Sequence, residues 1–202
     1  MSNKKSFFID RTDPSAWSLV FTNLLTIALA VKFNWSLMEL MWIYWSQSVI
    51  IGGINVIKMR RVEKARGGPK MFFLGDTSSF FLLHYGFFHL IYLLFLVIFT
   101  LAGETPLNNG APVQWGWVLA TILAFLANHT FSYLYNRDRD SSRDNLDRLF
   151  MFPYARIIPM HLTLIFGAAM DSFLPGVVQA PILLFLSLKT VADLVMHKLE
   201  HS

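Results

Sequence analysis

Asp193, His197 and His201 recur four residues apart near the end of the chain, with Glu200 beside them. On a helix, residues at i, i+4 and i+8 share one stripe. An imidazole and a carboxylate, or two imidazoles, one turn apart can chelate a single Zn, Fe or Mn ion. Without a metal, Asp193 would hold a proton or pair with Lys189, also four residues away. The bland alternative is a water-facing helix end whose charges need no ligand.

Four further histidines precede this segment. His84 and His89 stand five apart, about 140° around a helix, so they do not share one face. Either both border one crevice, or His84 faces a site while His89 bonds to a neighbouring helix. Gly86 between them would permit a close helix approach. Asn128 and His129 are read as packing or interface residues. His161 follows Pro159, whose ring removes a backbone hydrogen bond and would expose a carbonyl near the imidazole. Arg156 is placed to receive an anionic head group, to neutralise Asp193, or to extend toward the membrane surface. Tyr44, Gln47 and Asn55 have near-helical spacing and suit interhelical hydrogen bonds of about 1 kcal/mol each, with Gly52-Gly53 as a packing surface.

The elements carrying these residues are membrane spans. Of the 202 residues, 54% are apolar and 15% charged, where soluble domains average about 25% charged. Phenylalanine contributes 19 residues and cysteine none. The chain therefore has no disulfide framework and no thiolate site, and any metal must take His, Asp, Glu or carbonyl ligands. The net charge of +4 follows more simply from membrane topology than from nucleic-acid binding, which is not expected.

Apolar runs near the roughly 20 residues needed to cross a bilayer occur at 15–31, 37–57, 80–101, 116–135, 156–172 and 177–198. They predict one all-α transmembrane domain over 1–202 with six spans. Asp13-Pro14 reads as the start of the first helix. Trp17, Trp35, Trp115, Trp117, Tyr133, Tyr135 and Tyr154 sit as an interfacial belt would. Loops are expected at Arg60 to Ser79, Gly103 to Trp115 and Arg137 to Asp147. With six spans, the lysine and arginine blocks at the N-terminus, Lys58 to Lys70, Arg137 to Arg156 and Lys198 fall on one side. The positive-inside rule then places both termini in the cytoplasm. On this topology His84, His161, Asp193 and His197 fall in one layer near the cytoplasmic face, with His129 at the same depth and His89 nearer the middle.

Four motif groups resemble an uncharacterised family of prokaryotic integral membrane proteins. They are Tyr44-Trp45-x-Gln47-x-x-Ile50-x-Gly52; His84-Tyr85-Gly86-x-x-His89; Pro153-Tyr154-x-Arg156-Ile157 with Met160-His161; and Leu188-Lys189-Thr190-x-x-Asp193-x-x-x-His197-x-x-Glu200-His201. The match runs from the second expected span to the sixth. It implies a prokaryotic plasma membrane and transfers no activity.

The leading expectation is a divalent metal (Zn, Fe or Mn) held by His84, His161, Asp193 and His197, with His89, Glu200 and His201 as additional or supporting groups. An open coordination position would activate water or dioxygen against a lipid-like substrate, whose head group Arg156 would receive. The H-E-x-x-H motif, the clustered histidine boxes of membrane di-iron enzymes and a Gly-x-Ser-x-Gly elbow are all missing. Two alternatives remain: a proton-coupled transporter or channel using an Asp193, His197 and His84 relay, and a structural or assembly protein. Membrane lipids are the expected partners, with a homo-oligomer as a further expectation.

Overall fold

The computed structural model describes residues 35–67, 76–105, 108–109, 112–140, 145–173 and 180–201, together with Leu24, Ile27, Ala28 and Lys32. Six helices lie in the continuous segments: α1 (Leu37–Ala65), α2 (Thr77–Ala102), α3 (Trp115–Asp140), α4 (Leu146–Met151), α5 (Tyr154–Phe173) and α6 (Ala180–His201). A two-residue antiparallel ladder, β1 (Glu104–Thr105) with β2 (Asn108–Asn109), joins α2 to the approach of α3. Apart from this ladder, the described structure is helical.

Four helical stretches are long and apolar enough to cross a membrane: Leu37–Ala65, Thr77–Ala102, Trp115–Tyr135 and Leu146–Phe166. The first expected span, 15–31, and the Asp13-Pro14 start lie outside the described residues, apart from Leu24, Ile27 and Ala28, which are helical. Helix α6 runs from Ala180 to His201, 22 residues, and its part Ala180–Ala192 is apolar.

Boundaries follow from local chemistry. Asp76 caps α2 by accepting a hydrogen bond from the Ser79 backbone N–H at 2.8 Å. Glu63, in the last turn of α1, accepts from both the backbone N–H and the hydroxyl of Ser78, at 2.9 and 2.7 Å. Helix α2 ends at Gly103, where φ is 73°, a left-handed conformation that glycine adopts without a Cβ penalty. At the opposite end of α1, the Glu39 carboxylate accepts from the Gln114 backbone N–H at 2.8 Å, tying the start of α1 to the approach of α3.

Two expected loops are shorter than charge alone suggests. The basic residues Lys58 to Lys64 continue α1 as helix to Ala65, because nothing before Gly67 breaks the hydrogen-bond ladder. At about 1.5 Å per residue, a helix of 29 residues reaches roughly 43 Å, beyond a hydrocarbon core of about 30 Å. The charged end therefore has length to spare for the aqueous side. Likewise α3 runs to Asp140, and Asn145 caps α4 by accepting from the Asp147 N–H at 3.1 Å.

The fifth expected span, 156–172, is covered by α5 (Tyr154–Phe173), and the short helix α4 and a turn at Phe152-Pro153 precede it. The charges of Asp147 and Arg148 read as a connector, yet they occupy an apolar-flanked helical turn. Within α5, Pro159 is buried, and its carbonyl accepts from the Thr163 hydroxyl at 2.7 Å.

The core lies where α1, α2, α5 and α6 meet. Phe81, Tyr85, His89, Tyr92 and Leu96 form one buried stripe of α2, at the spacing of a single helix face. They pack with Met38, Met41, Tyr44 and Met59 of α1, Met160 of α5 and Phe185 of α6. The Tyr85 ring lies against Gly52, where an added Cβ would come within 2.5 Å of the ring. A Cβ at Gly53 or Gly86 would meet nothing within 4 Å. Close approach therefore uses one glycine of the three expected.

Candidate functional site

Arg156 lies in the first turn of α5, two residues after its start at Tyr154. Its Nη2 donates to Gln47 Oε1 at 3.4 Å. Gln47 is ten residues from each end of the apolar run 37–57, about 15 Å along α1 from either end. Arg156 begins the fifth span when hydropathy alone is read, and α5 starts two residues earlier.

The guanidinium carbon stands 4.9 Å from the centroid of the Tyr44 ring, which meets Phe185 of α6 edge-on at 5.2 Å. A desolvated cation–π contact contributes about 2 kcal/mol, and a hydrogen bond to a charged group about 1.5–3 kcal/mol. At 3.4 Å the Gln47 contact belongs at the weak end of that range. Removing a charge from water at membrane depth costs from a few to more than about ten kcal/mol. Among the described residues, the neutral contacts do not fully offset that cost. Its Nε is buried with no hydrogen-bond acceptor, and no carboxylate pairs with it among the described residues.

Two histidine–tyrosine pairs flank this arginine on the seam between α2 and α5. His84 Nδ1 and the Tyr154 hydroxyl share a 2.7 Å hydrogen bond. His161 Nδ1 and the Tyr92 hydroxyl share one of 3.2 Å. Both imidazoles are exposed on the protein surface. His84 is held between Phe80, stacked at 5.4 Å, and Phe88, edge-on at 5.2 Å. Tyr154, expected in the interfacial belt, is the first residue of α5 and lies beside His84.

The pairs lie at different levels. They are eight residues apart on α2 and seven apart on α5, which is roughly 10–12 Å along the helices. Imidazoles sharing one metal bind it at about 2.0 Å each, so this arrangement does not bring His84 and His161 together. His84 meets α5 at Tyr154, two residues before Arg156, while His161 lies five residues after it.

His89 is buried. Its Nδ1–H donates to the Tyr85 carbonyl in its own helix at 2.9 Å, while the His89 carbonyl accepts from Trp45 Nε1 at 2.9 Å. The neighbouring helix is thus joined through the backbone of His89 rather than its ring. Tyr85 donates its hydroxyl to the Ser48 carbonyl at 3.1 Å. The Asn55 side chain bridges helices as expected, donating to the Leu149 carbonyl at 3.2 Å. His129 lies against Phe125 at 4.0 Å on α3.

The side chains of Asp193, His197, Glu200 and His201 lie outside the described residues, although α6 carries all four positions. Among the described residues, no three His, Asp or Glu side chains are grouped to hold a metal ion. Sequence reasoning misses Tyr92 and Tyr154 as partners of the histidines. The signal is present, since Tyr85, His89 and Tyr92 follow a heptad-like spacing and Tyr154 stands two turns before His161.

No curated protein and no solved structure matches this chain. Residues 5–202, carrying every group described above, match one family model, and the chain accordingly belongs to DUF6498, a family of unknown function.

Proposed function

We propose that this protein is a six-span membrane protein of the prokaryotic plasma membrane, with both termini cytoplasmic, that binds the acidic head of a lipid-like molecule at Arg156. One observation carries the binding reading: a guanidinium that meets Gln47, midway along the apolar run 37–57, has aromatic and amide contacts but no carboxylate partner among the described residues. An anion entering there gains an attraction strengthened by the low dielectric. Gln47 and the exposed His84 and His161 supply further polar contacts along the route. Support for the topology comes from the apolar runs 15–31 and 177–198 and from the basic blocks that fall on one side when both are counted.

The test is binding of a fluorescent anionic amphiphile to the full chain in nanodiscs of zwitterionic lipid. Arg156→Gln is expected to weaken saturable binding at least about tenfold, the loss of one charge-assisted contact. Unchanged binding would remove the arginine from the site.

A metal-dependent reaction on the same molecule is the second reading. It is favoured by the continuity of α6 to His201, which keeps Asp193 and His197 one turn apart. A dication at the level of Arg156 would be repelled by the guanidinium, so this centre belongs at the Asp193 end of α6. Elemental analysis of untagged protein, compared with Asp193→Asn/His197→Ala, tests it: near-stoichiometric Zn, Fe or Mn lost in the variant supports the centre. Ion flux in liposomes abolished by Asp193→Asn would favour the relay alternative instead.

A further inference from the structure

We propose that the exposed edge of the seam between α2 and α5 holds a membrane-soluble quinone, whose ring carbonyl accepts a hydrogen bond from His161. The site is separate from Arg156, since His161 stands five residues further along α5, about 140° around the helix.

The depth of His161 is set by α2, which the Asp76 cap and Gly103 bound at its two ends. Residues 77–102 include no Asp, Glu, Lys or Arg. Tyr92 is fifteen residues from Thr77 and ten from Ala102, so about 15 Å of apolar helix lies between it and the nearer end. Half of a hydrocarbon core of about 30 Å is the same distance. The 3.2 Å hydrogen bond between the Tyr92 hydroxyl and His161 Nδ1 holds the imidazole near that level.

Tyr92 is buried, whereas His161 is exposed. Ile158 and Ile165, before and after it on the same face of α5, are exposed apolar side chains, as are Leu90 and Leu94 of α2. One imidazole thus interrupts an apolar surface that faces lipid. The Tyr92 hydroxyl has no acceptor besides Nδ1 among the described residues, so it donates there and leaves the ring proton on Nε2. His161 therefore presents an N–H donor in a layer without water. An unmade hydrogen bond is costly there, and the acceptor has to come from whatever covers this face.

Phospholipid ester carbonyls lie at the head-group boundary, about 15 Å away. A two-fold copy of the same face would set one Nε2–H against another, two donors without an acceptor. An uncharged apolar molecule with a carbonyl reaches the centre without the penalty of a charge at that depth. A quinone on an aliphatic tail has this chemistry. Its flat ring also suits the half-buried Phe88 ring, which meets Tyr92 at 6.5 Å. His84 differs because its pair with Tyr154 lies only seven residues from the start of α2, about 10 Å, within reach of head-group carbonyls.

The experiment titrates decyl-benzoquinone and decylbenzene into phosphatidylcholine nanodiscs holding the full chain, with empty nanodiscs correcting for partition into lipid. Wild type should bind the quinone saturably and take up decylbenzene only as empty nanodiscs do. His161→Leu should weaken quinone binding about three- to tenfold, the contribution of one neutral hydrogen bond. His161→Gln, which keeps an N–H donor on this face, should bind more tightly than His161→Leu, and Leu126→Ala on the exposed face of α3 should match wild type. Circular dichroism and thermal unfolding check that each variant is folded. Unchanged quinone binding in His161→Leu would overturn the proposal. Wild type that binds no quinone saturably would overturn it as well, and a dimer that His161→Leu dissociates would then assign the face to a second copy. Should His161→Leu fail to fold, the two probes on wild type still decide, because equal saturable binding of decylbenzene removes the carbonyl from the site.

Discussion

Helices α1 and α3 both qualify as spans, yet 33% of the α1 window is buried within the protein against 6% for α3. In α1, Met38, Met41 and Met59 are wholly enclosed, and Trp42, Trp45, Tyr85 and Arg156 make directed contacts with or across it. In α3, Val118 alone is buried among the described side chains; Trp117, Leu123, Phe131 and Tyr135 are largely exposed. Hydropathy reports that a segment belongs outside water. It does not distinguish a helix that builds a protein interior from one that faces lipid, because lipid tails are as apolar as leucine.

The sharpest way to break this contrast is at Gly52. Gly52→Val would drive a branched side chain into the Tyr85 ring, which is buried and tied to Ser48. We expect a loss of about 2–3 kcal/mol in detergent, the upper range for overpacking; an unchanged unfolding midpoint would mean that α1 and α2 slide apart freely. Thr100→Val removes the acceptor of Trp42 Nε1 and should cost about 1 kcal/mol, with a shift in tryptophan emission as a second readout. Tyr92→Phe, which takes the hydroxyl from His161, should cost about 0.6 kcal/mol, the average for interhelical membrane hydrogen bonds. By contrast, Leu123→Ala or Leu126→Ala on α3 should stay within about 0.5 kcal/mol. A loss of about 2 kcal/mol there, the scale of a buried leucine, would show that α3 packs against another surface and dissolve the comparison.

The smallest expected effect is a pH dependence at the start of α2. Hydrogen bonding from Ser79 holds the Asp76 carboxyl below the usual aspartate range. Its folded-state affinity for protons is therefore lower than in the unfolded chain, so it stabilises the fold at neutral pH and loses that contribution as pH falls through its lowered value. The group is only partly buried, so screening keeps the contribution small. Asp76→Asn should be slightly less stable than wild type at neutral pH, and the difference should vanish in strong acid, where both side chains are neutral. A gap that widens in acid would contradict the cap.

The class of the fold is legible because long apolar runs with basic flanks suit membrane spans and little else. The second and third expected spans, 37–57 and 80–101, differ from the helices mainly at the charged ends, where a helix continues into water without an apolar signal. The fifth, 156–172, agrees with α5; what charge alone hides is the short helix α4 before it, set by the Asn145 cap and the Phe152-Pro153 turn. The separation of His84 from His161 follows from helix register, since His84 meets Tyr154 and His161 meets Tyr92. Gln47 and Asn55 are readable as bridging residues, since polar groups in a span seek partners; which partner each finds depends on helix rotation, which spacing does not encode. The close contact at Gly52 and the open space at Gly53 and Gly86 differ for the same reason.

The Glu63 carboxylate, gripping both the backbone and hydroxyl of Ser78, joins the end of one span directly to the beginning of the next. The clasp makes the α1–α2 hairpin largely indifferent to the length of chain between its halves, since doubling a flexible connection adds only about 0.6 kcal/mol of closure entropy. A reporter peptide or protease site inserted after Gly68 should consequently be tolerated, and the severed halves, expressed together, should still find one another in the bilayer.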